Sequence, residues 1–152
     1  MKYARFIRRA VDDSFRDFSG LGNIFILAAV FAVFIKGKSL LTAISGIVFV
    51  EVLCSAIKLI FSKKRPEYIP HDNFLEKIQS GSFPSVHSAL IVYFGLTVMH
   101  FAGSSLVYAV FSAIIIIVGY SRYYLKKHFL IDILSGYFIG LITYLIFYFK
   151  FF

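Results

Sequence analysis

The stretch LLTAISGIVFVEVLCSAIKLIF, Leu40 to Phe61, decides the fold. Its only charged residues are Glu51 and Lys58, and its length matches the ~20 residues that carry a helix across the hydrocarbon core of a bilayer. Four further runs have the same character: Leu21–Ile35, which is short, Ser85–Phe101, Leu106–Leu125 and Phe129–Phe149. None alternates with period two, and lipid admits only helices or closed barrels because every backbone polar group must be satisfied internally. The expectation is therefore an all-α polytopic membrane bundle of about five transmembrane helices. It forms one domain over residues 1–152, since no hydrophilic stretch is long enough for a second.

Composition points the same way. Of the 152 residues 59% are hydrophobic and 16% charged, and the mean hydropathy is +0.81. Soluble domains carry roughly 45–50% apolar and about 25% charged residues. The first 18 residues have charges throughout and no continuous apolar core, a pattern not expected of a signal peptide. Ile7, Val11, Phe15 and Phe18 recur at helical spacing, with Arg8, Arg9, Asp12, Asp13, Arg16 and Asp17 on the other side. The segment 1–18 reads as an amphipathic helix in the membrane interface. Cys54 is the only cysteine, so no disulfide forms within the chain.

Each crossing moves the chain to the opposite side of the membrane. The second span thus delivers Lys58 and KKRP (Lys63–Pro66) to one face, the third span starts there at PSVHS (Pro84–Ser88), and the fourth returns there at Ser121–His128. Ionisable residues at such positions are costly and read as functional. Lys58 and Arg65, seven apart, share a helical stripe if the second helix runs to Pro66. His128 and Asp132, four apart, share a face of the fifth helix, with the carboxylate in reach of the imidazole, where it fixes the tautomer. Lys58, Arg65 and Arg122 make an anion site suited to a tetrahedral oxyanion. Ser85 adds a hydroxyl at a helix start, where backbone N–H groups also bind phosphate. His87 and His128 supply two titratable groups, enough for one nucleophile and one general acid. The set fits phosphoryl transfer without a metal.

The same residues fall into a known pattern. KLIFSKKRP (Lys58–Pro66), PSVH (Pro84–His87) and SRYYLKKHFLID (Ser121–Asp132) resemble, in order and spacing, the three motifs of the type 2 phosphatidic acid phosphatases. These are membrane lipid phosphatases that share a core with vanadium haloperoxidases. The motifs bracket residues 58–132. The resemblance implies that His128 is the nucleophile and forms a phosphohistidine, that Asp132 orients it, and that His87 is the general acid. It implies that Lys58, Arg65, Ser85, the backbone at Val86 and Arg122 hold the phosphate oxygens, with no metal and no cofactor. Val86 stands where the family has glycine, which adds a branched side chain and removes easy access to positive φ. Five spans also stand where members commonly have six.

The expected partners are the bilayer and a phosphorylated lipid. Candidate substrates are phosphatidylglycerol phosphate, phosphatidic acid, undecaprenyl diphosphate and the 1-phosphate of lipid A. The basic rim leans the reading towards the last two, both envelope lipids. The net charge of +8 is split among membrane-bounded segments, which suits anionic headgroups rather than nucleic acid. Of the 16 Lys and Arg, 13 fall on the motif face, and the positive-inside rule alone would place that face in the cytoplasm. The resemblance implies the reverse: a bacterial inner membrane with the site on the periplasmic or outer face. Two readings of other kinds compete. An anionic-solute transporter needs cations lining a path, yet the opposite face has only Lys36, Lys38, His100 and Lys150. A metal hydrolase using His87, His128 and Asp132 as ligands would set its metal among three cations. His71 and His100 match no motif, and Glu51, seven residues before Lys58, reads as its structural partner.

Overall fold

The computed structural model describes residue 29 and residues 31–61, 63–66 and 81–151. The expected interfacial helix at 1–18, most of the first span and His71 lie outside the described residues. Four helices follow one another: α1 (Lys38–Phe61), α2 (Val86–Ala102), α3 (Ser105–Tyr124) and α4 (Leu130–Phe151). Residues 31–34 are helical as well, and the described residues contain no strand. Helices α1, α3 and α4 are long and apolar enough to cross a membrane, and α2 is a shorter apolar helix. The chain is an integral membrane protein, and these helices match the second to fifth expected spans to within a few residues at each end.

The central element is α2, which packs against α1, α3 and, most extensively, α4. Its buried residues occupy nearly its whole circumference, from Ser88 to Met99. The outer helices bury only stripes. On α1 the stripe is Ala43, Gly46, Ile47, Val50, Cys54 and Lys58, spaced by three or four residues as one helix face requires. On α3 only Gly119 and Arg122 are buried, and its Leu106, Ile116, Ile117 and Tyr120 are exposed. Those side chains face where lipid would be, and lipid is as apolar as they are, so nothing drives them inward. Phe31, Ile35, Ala43, Ile47, Val50, Ala89, Tyr93, Phe94, Val98 and Phe147 pack in one core.

Small residues set how closely the helices approach. A Cβ at Gly136 would overlap the Ser85 carbonyl oxygen, and one at Gly140 would overlap that of Ala89. These two glycines, one turn apart on α4, form the small-residue seam that membrane helices use in place of a hydrophobic drive. Two tyrosines seal other crossings. Tyr93 lies over Gly46 and donates to the Ala43 carbonyl at 3.1 Å, while Tyr137 lies over Gly119 and donates to that of Ile115 at 2.6 Å. Gly140→Ala should cost about 1–3 kcal/mol, the usual penalty of overpacking. Its melting temperature in detergent, compared with that of the unaltered protein, measures the cost, and an unchanged value would show that α2 and α4 can separate freely.

Candidate active site

The three motifs lie at the end of the bundle where α1 and α3 finish and α2 and α4 begin. Helix α1 stops at Phe61 rather than running to Pro66, so Lys58 sits in its last turn and Arg65 beyond it. The expected shared stripe is replaced by a non-helical segment from Lys63 to Arg65. Two forces favour this. Arg65 precedes a proline, which disfavours the α conformation. The segment's carbonyls are also taken by Ser82, whose N–H donates to Lys63 O at 2.8 Å and whose hydroxyl donates to Lys64 O at 3.0 Å.

Helix α2 starts with Ser85 as its N-cap. The Ser85 hydroxyl accepts the Ser88 N–H at 3.4 Å and the Ser88 hydroxyl at 2.9 Å, so one buried serine is held by another. The Ser85 N–H is spent on the Asp132 carbonyl at 2.9 Å. Helix geometry leaves the N–H groups of Val86 and His87 without intrahelical partners, as an anion site requires. Val86 is the first helical residue, its φ is not positive, and its side chain packs against the core. Glycine's conformational freedom is thus not needed here.

Helix α3 ends in a Schellman motif. Lys126 takes φ 55°, its N–H donates to Tyr123 O at 3.0 Å and that of Lys127 donates to Arg122 O at 3.1 Å. The His128 N–H also reaches Arg122 O, at 3.3 Å. The chain therefore turns back on itself and sets His128 beside Arg122, both buried, at 4% and 6% exposure.

His128 precedes α4 instead of lying on it, and its Nδ1 meets the carbonyl oxygen of Ser82 at 2.6 Å. A carbonyl only accepts, so Nδ1 carries the proton and Nε2 keeps its lone pair. Asp132 was expected to perform this orienting role from four residues away on a common helix face. It is instead the third residue of α4, fully buried, with Oδ2 accepting the Phe129 N–H at 2.9 Å and Oδ1 paired with Lys63 Nζ at 2.6 Å. The first contact is the backward reach of an acidic side chain in the first turn, half of a capping box. Asp132 thus holds the backbone next to His128, and the Ser82 carbonyl takes the ring position that the expectation gave to Asp132.

The charges converge as the three motifs foresaw. His87 feels Arg122, His128, Lys58 and Arg65, while Lys58 feels Arg65, Glu51 and Asp132. Nε2 of His87 is buried with no hydrogen-bond partner, which leaves it for whatever enters. Burial pushes the His128 imidazole down to about 3, and the charges of Arg65 and Lys58 add to the effect. It is accordingly neutral at pH 7, with Nε2 keeping its lone pair beside the charges of Arg65 and Lys58. Sequence reasoning missed Lys63, Ser82 and Ser88. Lys63 lies inside the first motif at a position the pattern leaves open, and Ser82 acts through a main-chain oxygen, which no residue type reports. An open apolar cavity of about 500 Å³, lined by Ile57, Phe61, Phe83, Leu134, Ser135, Phe138 and Ile139, lies between the catalytic ends of α1 and α4.

Residues 39–152 match the PAP2 superfamily. Phosphatidylglycerophosphatase B of Bacillus subtilis (strain 168) is 32% identical over 103 residues, covering 62% of this chain and 49% of that protein. The chain thus spans about half the length of the curated relative it matches. A crystal structure of a transmembrane PAP2 type phosphatidylglycerolphosphate phosphatase from Bacillus subtilis superimposes with a TM-score of 0.67 at 23% identity, covering 97% of this chain and 76% of that one. At that identity the likeness is one of fold.

Proposed function

The chain belongs to the PAP2 superfamily, and from that membership we propose that it is a membrane phosphatase acting on a lipid phosphomonoester through a phosphohistidine on His128. The observation that carries the reading is the His128 imidazole, with Nδ1 bonded to the Ser82 carbonyl and the ring interacting with the charges of Arg65 and Lys58. A neutral ring held in one tautomer is a nucleophile, and the surrounding cations stabilise charge that builds on the phosphoryl oxygens.

In the first step Nε2 of His128 attacks phosphorus in line. The bond to the lipid oxygen breaks, and His87 gives that oxygen its proton. In the second step His87 takes a proton from water, whose oxygen attacks phosphorus, and the bond to His128 breaks to release inorganic phosphate. Lys58, Arg65, Arg122 and the Ser85 hydroxyl, with the N–H groups that open α2, hold the three peripheral oxygens. This chemistry asks for no metal. Among the described residues no group of three His, Cys, Asp or Glu side chains is placed to hold one, and three cations in the pocket oppose a fourth.

The similarity to phosphatidylglycerophosphatase B favours phosphatidylglycerol phosphate over the envelope lipids to which the basic rim alone inclined the sequence reading. A lipid diphosphate is the second reading, favoured by the rim lysines Lys64 and Lys126, both exposed beside the site. The catalytic unit comprises residues 58–132 within a single domain, set in a bacterial inner membrane with the site facing outward. Phosphate release by the detergent-purified protein tests all of this. We expect turnover of phosphatidylglycerol phosphate above phosphatidic acid, undecaprenyl diphosphate and lipid A, undiminished by EDTA, and hydrolysis of an impermeant short-chain phosphate by intact spheroplasts. Chelator-sensitive turnover would sink the metal-free mechanism, and hydrolysis only after lysis would reverse the orientation.

A further inference from the structure

We infer that Lys63 is a positioning residue of the phosphatase site, acting on His128 from two sides; the inference rests on the activity proposed above. Among the described residues, Lys63 touches both structures that hold the proposed nucleophile. Its carbonyl oxygen accepts the Ser82 N–H at 2.8 Å, and the carbonyl of that same Ser82 fixes His128 Nδ1 at 2.6 Å. Its ammonium pairs with Asp132 Oδ1 at 2.6 Å. The other oxygen of Asp132 caps the N–H of Phe129, the residue after His128, and the Asp132 main-chain carbonyl holds Ser85.

The energetics favour a fixed arrangement. Asp132 is fully buried while Lys63 keeps 36% of its side chain exposed. A buried carboxylate needs a partner or it must rearrange or take up a proton. Lys63 provides that partner from the edge, where its own desolvation is small. Its ammonium also lies over the Phe129 ring, 4.6 Å from the centroid, and 5.9 Å from that of Phe83, so aromatic faces restrict it on two sides. Without the ammonium, Oδ1 of Asp132 has to find another donor, and the side chain that caps Phe129 swings away. The turn carrying His128 then loosens at the position where an error of about 1 Å costs on the order of 100-fold in rate.

Lys63 does not belong to the phosphate cradle in this scheme, because its ammonium is committed to Asp132. That separates it from Lys64, its exposed neighbour, whose charge can serve only to attract an anionic lipid. The test is steady-state kinetics of phosphate release for Lys63→Met, Lys63→Gln, Lys63→Arg and Lys64→Met in detergent, with a melting temperature for each. We expect Lys63→Met and Lys63→Gln to lower kcat by about 10- to 100-fold with KM nearly unchanged, Lys63→Arg to recover most of the loss, and Lys64→Met, at a rim charge, to raise KM instead of lowering kcat. The Gln variant, which keeps a hydrogen-bonding end, guards against a Met variant that does not fold. A rise in KM at constant kcat would make Lys63 a substrate-attracting charge and overturn the inference, as would neutral variants as active as the parent or an inactive, folded Arg variant. If the unaltered protein released no phosphate from any lipid, the proposed function itself would fall, an outcome separate from these.

Discussion

His128→Ala should release no measurable phosphate, a loss on the order of 10⁴-fold or more, as when a covalent nucleophile is removed from a machine whose parts act as a unit. The geometry gives the reason. The ring is 4% exposed and its Nδ1 is committed to Ser82, so alanine there removes a nitrogen held in one fixed position. The fold should survive, since the backbone bonds from His128 to Arg122 and from Ser85 to Asp132 do not involve the ring. A melting temperature close to that of the parent, beside absent turnover, is therefore the expected pair of results. With the free imidazole held down to about 3 by burial and by Arg65 and Lys58, the proposed nucleophile is neutral near pH 7. The acid limb of a pH–rate profile near neutrality must then belong to another group. Full activity in His128→Ala would end the phosphohistidine scheme.

The second large effect is at His87. As general acid it should be worth about 10²–10⁴-fold on a lipid substrate, whose alkoxide leaves badly without a proton. An aryl phosphate with an acidic leaving group needs no such proton. His87→Asn should lose the lipid reaction while retaining most of the p-nitrophenyl phosphate reaction, at least in its first step. The buried, unpartnered Nε2 beside the pocket is the observation that motivates the assignment. Equal losses on the two substrates would instead make His87 a phosphate ligand.

Much of this was legible before any coordinates. The apolar runs foretold α1 to α4 because lipid leaves a chain few alternatives, and alternation of crossings foretold that three distant motifs would meet at one end. What failed was the extension of helical periodicity past the helix ends. Lys58 with Arg65, and His128 with Asp132, were placed on common faces that exist only if the helix continues through both residues. Helix α1 ends four residues before Arg65 and α4 begins after His128, because the bonds from Ser82 to Lys63 and Lys64 and the local caps at Arg122 and Phe129 decide those boundaries. Val86 adds a branched side chain where the family has glycine, and a residue that opens a helix directs that side chain by helical geometry, here against the core. Lys63 was invisible for a different reason. Its partner Asp132 lies 69 residues away, and nothing local to KKRP sets that lysine apart from the next one.

The bond between His128 and the Ser82 carbonyl has a consequence for genetics. Ser82→Ala removes only the hydroxyl bond to Lys64 and leaves the main-chain oxygen in place, so this variant would underrate a position that sets the tautomer of the proposed nucleophile. The instruction is carried by the path of the chain rather than by an inherited letter, and it becomes visible only to changes that redirect the path. A proline at 82, which deletes the N–H bonded to Lys63, or a one-residue insertion between Ser82 and Pro84 would expose it.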